Sequence, residues 1–167
     1  LAWLLGNENP EVQEMALMIL GNLCSDAVDY NSATTKRALL EVDGGAEALV
    51  RCLRAEDATV VLLAAGTLQN LCQDVAWCEV LVSYNAHDDL EDLLLSSQSE
   101  LERSVRGLTT TSTDYDLYRG IISVLHPVLE AVNRQLQELE GESSQDAVDL
   151  RALDADIQQL VTQLEGL

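Results

Sequence analysis

Phenylalanine is absent from this chain of 167 residues, histidine occurs twice, and nine lysines and arginines stand against 29 aspartates and glutamates. Each shortage removes a class of function. The formal net charge is −20, and the acidity is spread, with 14 acidic against 4 basic residues in 1–90 and 15 against 5 in 91–167. A field of this sign repels phosphate backbones and anionic lipid, so neither nucleic acid nor a membrane surface is an expected partner, whereas a basic protein segment is. No apolar run approaches the roughly 18 residues of a membrane span, the longest being of the order of "VVLLAAG", which predicts a soluble chain without membrane insertion. With 47% apolar residues, the length suffices for one substantial core.

The usual signatures of chemistry are missing as well. His87 and His126 stand at no ligand spacing from each other or from a cysteine, and read as one surface and one packed side chain. Asp88, Asp89, Glu91 and Asp92 make an acidic helix start, where the macrodipole favours negative charge; successive helical residues do not face one another as an acid/base pair must. GxSxG, GxxxxGK[ST], GxGxxG and a calcium loop are all lacking. Cys24, Cys52, Cys72 and Cys78 lie among Leu, Val and Ala without CxxC spacing, and no Asn-x-Ser/Thr sequon occurs. They predict buried free thiols in a reducing, cytoplasmic setting, with nuclear or cytoskeletal association left open. The chain reads as a non-enzyme without cofactor, metal or catalytic residue.

What the sequence does contain is repetition. "ILGNLC" at Ile19 returns as "TLQNLC" at Thr67, and residues 1–24 laid over 49–72 give nine identities, among them Val12/Val60, Ala16/Ala64, Leu20/Leu68, Asn22/Asn70 and Cys24/Cys72. Most are apolar and four apart, so they trace one buried helical stripe. A fainter copy begins at Leu90, offset by 41, pairing Leu49/Leu90, Leu53/Leu94 and Gly66/Gly107. Within each copy a short helix ending in Leu meets a polar break ("GNENPE", "RAEDAT", "SSQSE") and then a longer amphipathic helix. Pro10 suits the first turn of such a helix, and "EVDGG" suits a helix end with a left-handed glycine before a new helix at Ala46. The extra length of the first period is assigned to an inter-helix loop, "DAVDYNSAT". Periods of this size built from helices predict an α-solenoid. Because the chain opens at Leu1 in the middle of a unit, it is expected to be a fragment of something longer.

These residues carry a resemblance. "NPEVQEMALMILGNLC" resembles the third helix of an armadillo repeat, and "ALLEVDGGAEALVRCL" is similar to that family's link into the next unit. The likeness covers about residues 1–110, as units 1–45, 46–86 and 87–112 with the first one truncated; it fades in the third, where Thr111 replaces the Asn. It implies a right-handed superhelix whose third helices line a concave groove, and groove asparagines that clamp the backbone of an extended peptide. An amide can serve a main-chain N–H and C=O at once. Asn22 and Asn70, with Met18 and Glu14 one and two turns before Asn22, are therefore the expected partner-binding residues; a local cap or a bridge between repeats is the competing role for the asparagines. The importin-α type places Trp where Met18 and Gly66 stand here, so a nuclear-import receptor is not expected.

Residues 113–167 follow another pattern. After "TTTSTDYD", Ile122, Leu125, Leu129, Val132, Leu136 and Leu139 recur at spacings of 3 and 4; "EGESSQD" intervenes, and Leu150, Leu153, Ile157, Leu160, Leu164 and Leu167 repeat the rhythm. Two matched seams predict an antiparallel helical hairpin of coiled-coil type, kinked or starting near Pro127, that caps the solenoid or assembles with another chain. The expected function is a protein-protein interaction scaffold within a cytoskeletal, ciliary or trafficking assembly. The resemblance also leaves open an Hsp70-type nucleotide-exchange co-chaperone, or a GTPase-responsive armadillo module like that of formins.

Overall fold

The computed structural model describes the backbone of residues 1–105 and 112–165, and the side chains of residues 1–101, 103 and 115–141. Among these residues the chain is all-α. A 3-10 helix, Ala2–Gly6, precedes α1 (Pro10–Leu23), α2 (Ser32–Leu40), α3 (Gly45–Cys52), α4 (Ala58–Leu71), α5 (Val75–Ser83), α6 (Ala86–Val105) and α7 (Ser112–Glu165).

Local chemistry sets the helix starts. Asn9 caps α1 by accepting the Glu11 N–H at 3.0 Å, and Pro10 occupies the first position, where its missing N–H is not needed. Asp57 caps α4, accepting from the N–H groups of Thr59 at 2.8 Å and Val60 at 3.3 Å. Asp74 does the same for α5 through the Ala76 N–H at 3.1 Å. Between α2 and α3, Gly44 takes φ +68, the left-handed conformation that "EVDGG" predicts, and a Cβ on Gly45 would stand 3.2 Å from the Leu39 carbonyl.

The "DAVDYNSAT" segment joins α1 to α2 as expected for its first part, but its last residues, Ser32 to Thr34, already belong to α2. Asp26 holds this connection: its carboxylate accepts from the Ser32 hydroxyl at 2.6 Å and from the buried Lys36 ammonium at 2.9 Å. The Lys36 carbonyl in turn accepts the Trp77 indole N–H at 3.1 Å. Trp77, with no exposed surface, is a core residue of α5 with its polar edge satisfied.

α4 lies at the centre, packed against α1, α3 and α7, and α7 also packs on α5 and α6. Val60, Ala64, Ala65, Leu68 and Leu71 of α4 are fully buried, as are Leu17, Leu49, Leu81, Leu90, Leu125 and Val132 from the helices around it. Each large aliphatic side chain so placed contributes about 1.5 to 3 kcal/mol over an exposed one. At the rim, Arg54 after α3 grips the Asp89 carboxylate of α6, donating from Nε at 3.0 Å and from Nη2 at 2.7 Å. Asp89 thus fastens two helices together as well as opening α6.

Three expectations are corrected. The polar stretch "SSQSE" does not break a helix: α6 runs through it, and Ser97 is buried. Serine and glutamine are tolerated within a helix when neighbours cover one side, and Leu90, Leu93 and Leu94 anchor this one to the core. The antiparallel hairpin is likewise not formed, because α7 continues unbroken through "EGESSQD". The helical backbone runs on through this stretch, so the chain does not reverse there. Gly141 costs such a helix only about 1 kcal/mol. At 1.5 Å per residue α7 is roughly 80 Å long. The side chains of the second seam, Leu150 to Leu167, lie outside the described residues, as does Thr111.

The third correction concerns the first seam. The buried residues of α7 are Ile121, Leu125, Val128, Val132 and Gln135, while Ile122, Leu129 and Leu136 are half-buried. A helix covered by three neighbours buries a wider face than a two-stranded seam, and its centre moves accordingly. Pro127 neither starts this helix nor ends it. It leaves the Ser123 carbonyl without its helical donor, a defect held in place by buried Leu125 and Val128 on either side. Of the histidines, His126 is the surface one and His87 the more buried.

Two outcomes are expected. Pro127→Ala restores the missing helical bond and raises stability by about 1 to 3 kcal/mol in urea unfolding. The Asp26 carboxyl is held below its ordinary 3.8, chiefly by the hydrogen bond from Lys36 and then by that from Ser32. Its contribution is complete above that ordinary value and is lost as the pH falls through the lowered one, so Asp26→Asn flattens the acid limb of the stability profile.

Candidate functional site

α1 and α4 approach closely because the residues between them are small. A Cβ on Gly21 would stand 3.2 Å from the Thr67 hydroxyl. That hydroxyl donates to the Leu63 carbonyl at 2.8 Å within α4 and lies 3.3 Å from the Leu17 carbonyl of α1. One turn later, the Asn70 side-chain amide donates to the Gly21 carbonyl at 3.0 Å. The two helices are thus joined by packing and by two polar contacts from α4.

Along one side of this junction runs a groove of about 460 Å³, lined on α1 by Met18, Gly21 and Asn22 and on α4 by Leu62, Gly66, Gln69 and Asn70. Val124 of α7 also lines it. Gly66 leaves the floor open, since a Cβ there would meet nothing within 4 Å. Met18 is 54% exposed, and Asn22 is exposed beside it.

Of the four residues expected to bind a partner, the structure brings Met18, Asn22 and Asn70 to this groove. Glu14 is half-buried a turn earlier and does not line it. The two asparagines are not equivalent: Asn70 spends one amide hydrogen on α1, keeping its oxygen and second hydrogen, whereas Asn22 has no helix in the corresponding place. Gly66 and Gln69 were not singled out from the sequence as contacts. Gly66 stands four residues before Asn70, on the same helix face, a spacing that could have found it, but nothing in the sequence points to Val124, which arrives from a helix more than fifty residues away.

A second opening, about 780 Å³, lies between the 3-10 helix and the α2–α3 connection, with Trp3, Val42, Asp43 and Arg51 in its wall. Trp3 there is 86% exposed. The thiols are free: burial pushes Cys24 up to about 11 against the opposing pull of Lys36, and burial also raises Cys52. Cys72 and Cys78 share a hydrogen bond that raises the first and lowers the second. Among the described residues, no group of three or more His, Cys, Asp or Glu side chains is arranged to hold a metal ion, and no helix is long and apolar enough to cross a membrane. Compared with protein-family models, curated proteins and solved structures, the chain matches none of them.

The asymmetry of the asparagines has a measurable consequence. Asn70→Ala leaves the Gly21 carbonyl short of a donor and lowers stability by about 1 kcal/mol, while Asn22→Ala stays within about 0.5 kcal/mol of the unaltered chain. Parallel urea denaturation of the two variants separates these values.

Proposed function

We propose that this chain is a non-catalytic interaction scaffold, an armadillo-type α-solenoid whose groove between α1 and α4 holds a segment of a protein partner. The observation that carries this is the groove itself: an apolar floor at Leu62 and Met18, an open glycine at Gly66, and amides from Asn22, Gln69 and Asn70 at its edge. Amides beside an apolar channel suit a main chain that needs both donors and acceptors, with alternate side chains buried below. The net charge of −20 favours a basic segment.

The stacking of α1 on α4 and of α4 on α7 supports the solenoid reading, with these as the third helices of successive units. In that arrangement α7 is a third helix extended far beyond its unit. Its distal half supplies a long surface by which the scaffold joins a larger assembly.

Because Gly66 faces open space, Gly66→Arg fills the groove without displacing a neighbour and removes a helix-weakening glycine. The expected outcome is an unchanged or slightly higher melting temperature together with loss of the partners that the full chain retains from native extract, identified by mass spectrometry. If every retained protein survives Gly66→Arg, the groove is not the binding site; if those proteins vanish instead when the chain ends at residue 141, the distal half of α7 is.

A further inference from the structure

Cys24 and Cys72 hold the same place in the two copies of the repeat, as the C-caps of α1 and of α4. The structure gives them different company. Six residues after Cys24 stands Tyr30, exposed in the α1–α2 connection. Six residues after Cys72 stands Cys78, buried in the first turn of α5. The turn between α4 and α5 is tight: the Asp74 N–H donates to the Leu71 carbonyl at 2.9 Å, and Asp74 then caps α5. This brings Cys78 back over the end of α4, where its thiol donates to the Cys72 carbonyl at 3.7 Å. The two thiols are also hydrogen-bonded to each other. The remaining cysteines are placed otherwise. Cys24 is buried near the Lys36 ammonium, and the Cys52 thiol lies 3.8 Å from the Leu5 carbonyl.

We infer that Cys72 and Cys78 are a site of reversible oxidation, at which hydrogen peroxide closes a disulfide that staples the end of α4 to the first turn of α5. A disulfide needs its sulfurs to close to about 2.05 Å without displacing the backbone. Thiols already within hydrogen-bonding reach close that gap by small rotations of their side chains. The bond spans only five intervening residues, Gln73 to Trp77, so it fixes the α4–α5 turn and leaves the rest of the fold as it is.

The pair is asymmetric in the way this chemistry needs. The hydrogen bond from Cys72 lowers the Cys78 thiol below its ordinary range, and Arg134 of α7 pulls the same way, against burial and the Asp74 carboxylate; the same hydrogen bond raises Cys72. Cys78 is therefore the attacking sulfur and Cys72 the resolving one. The Cys78 thiolate attacks one peroxide oxygen: an S–O bond forms, the O–O bond breaks, and hydroxide leaves, taking up the proton that Cys78 lost to become water. Cys72 then attacks the resulting sulfenic acid at sulfur. An S–S bond forms, the S–O bond breaks, and the hydroxyl leaves with the Cys72 proton as a second water. Two thiols are oxidised and one peroxide is reduced. A water-sized oxidant suits an attacking sulfur that is buried at the edge of the fold.

Arg54 and Arg103 bracket both cysteines and no other, with no lysine or arginine between them, so one tryptic peptide reports on the pair. The full folded chain is exposed to hydrogen peroxide at neutral pH, unfolded at intervals in urea with N-ethylmaleimide, digested without reductant and weighed by mass spectrometry. The expected result is that this peptide loses both labels together and two hydrogens in mass, at least about tenfold faster than Cys24 or Cys52 loses its label, since burial holds those two thiols protonated. Dithiothreitol restores both labels. In Cys72→Ser the sulfenic acid on Cys78 has no resolving thiol and is trapped by dimedone; in Cys78→Ser, Cys72 keeps its label. The unaltered chain alone decides the main point, whatever the folding of the variants. The inference is overturned if the pair keeps its labels after Cys24 or Cys52 has lost its own, if the labels go singly to sulfinic acid, or if the bond joins two chains or forms only in urea.

Discussion

A helix as apolar as α4 has to be covered on nearly every side. "ATVVLLAAGTLQNL" buries Val60, Val61, Ala64, Ala65, Thr67, Leu68 and Leu71, an arc of about 160°, and half-buries Leu62 and Leu63 on the remaining side. One neighbouring helix cannot hide such a surface, and here α1, α3 and α7 share it. The rest of the fold is arranged to bring those three to it. Capping by Asn9 and Asp57 fixes where α1 and α4 begin, the left-handed Gly44 turns α2 into α3, and the Asp26–Lys36–Trp77 chain of hydrogen bonds holds α2 against α5.

The same requirement produces the groove. Close approach of α1 and α4 depends on Gly21, which faces Thr67, and where α4 has Gly66 with open space before it, the junction opens into a channel. Thr67 and Asn70 show how polar groups enter such a junction at little cost: Thr67 donates to the Leu63 carbonyl of its own helix and Asn70 to the Gly21 carbonyl of the facing one.

Repetition made the sequence unusually readable in its first half. The start of α1 at Pro10, the glycine at Gly44 and the buried stripe shared by α1 and α4 could be seen from spacing, because each depends on residues near one another in the chain. The groove was half legible. Asn22, Asn70 and Met18 share it, but the same letters in two copies concealed a difference: Asn70 is engaged with Gly21 and Asn22 has no such partner. Identity of sequence cannot report what stands opposite a residue. The second half was misread for a related reason. A polar stretch can end a helix or be carried within one, and the backbone of both "SSQSE" and "EGESSQD" takes the second course.

The sequence by itself determined the all-helical class, the helix starts and the apolar faces, since propensity, capping and periodicity act over a few residues. Only the tertiary structure decided which faces meet: that α7 brings Val124 to the groove, that Arg54 grips Asp89, and that α1 leaves Met15 and Ile19 open where α4 has its counterpart residues covered. Those pairings are set by which surfaces remain uncovered after each helix has formed, a property of the whole assembly of helices and of no single stretch of chain.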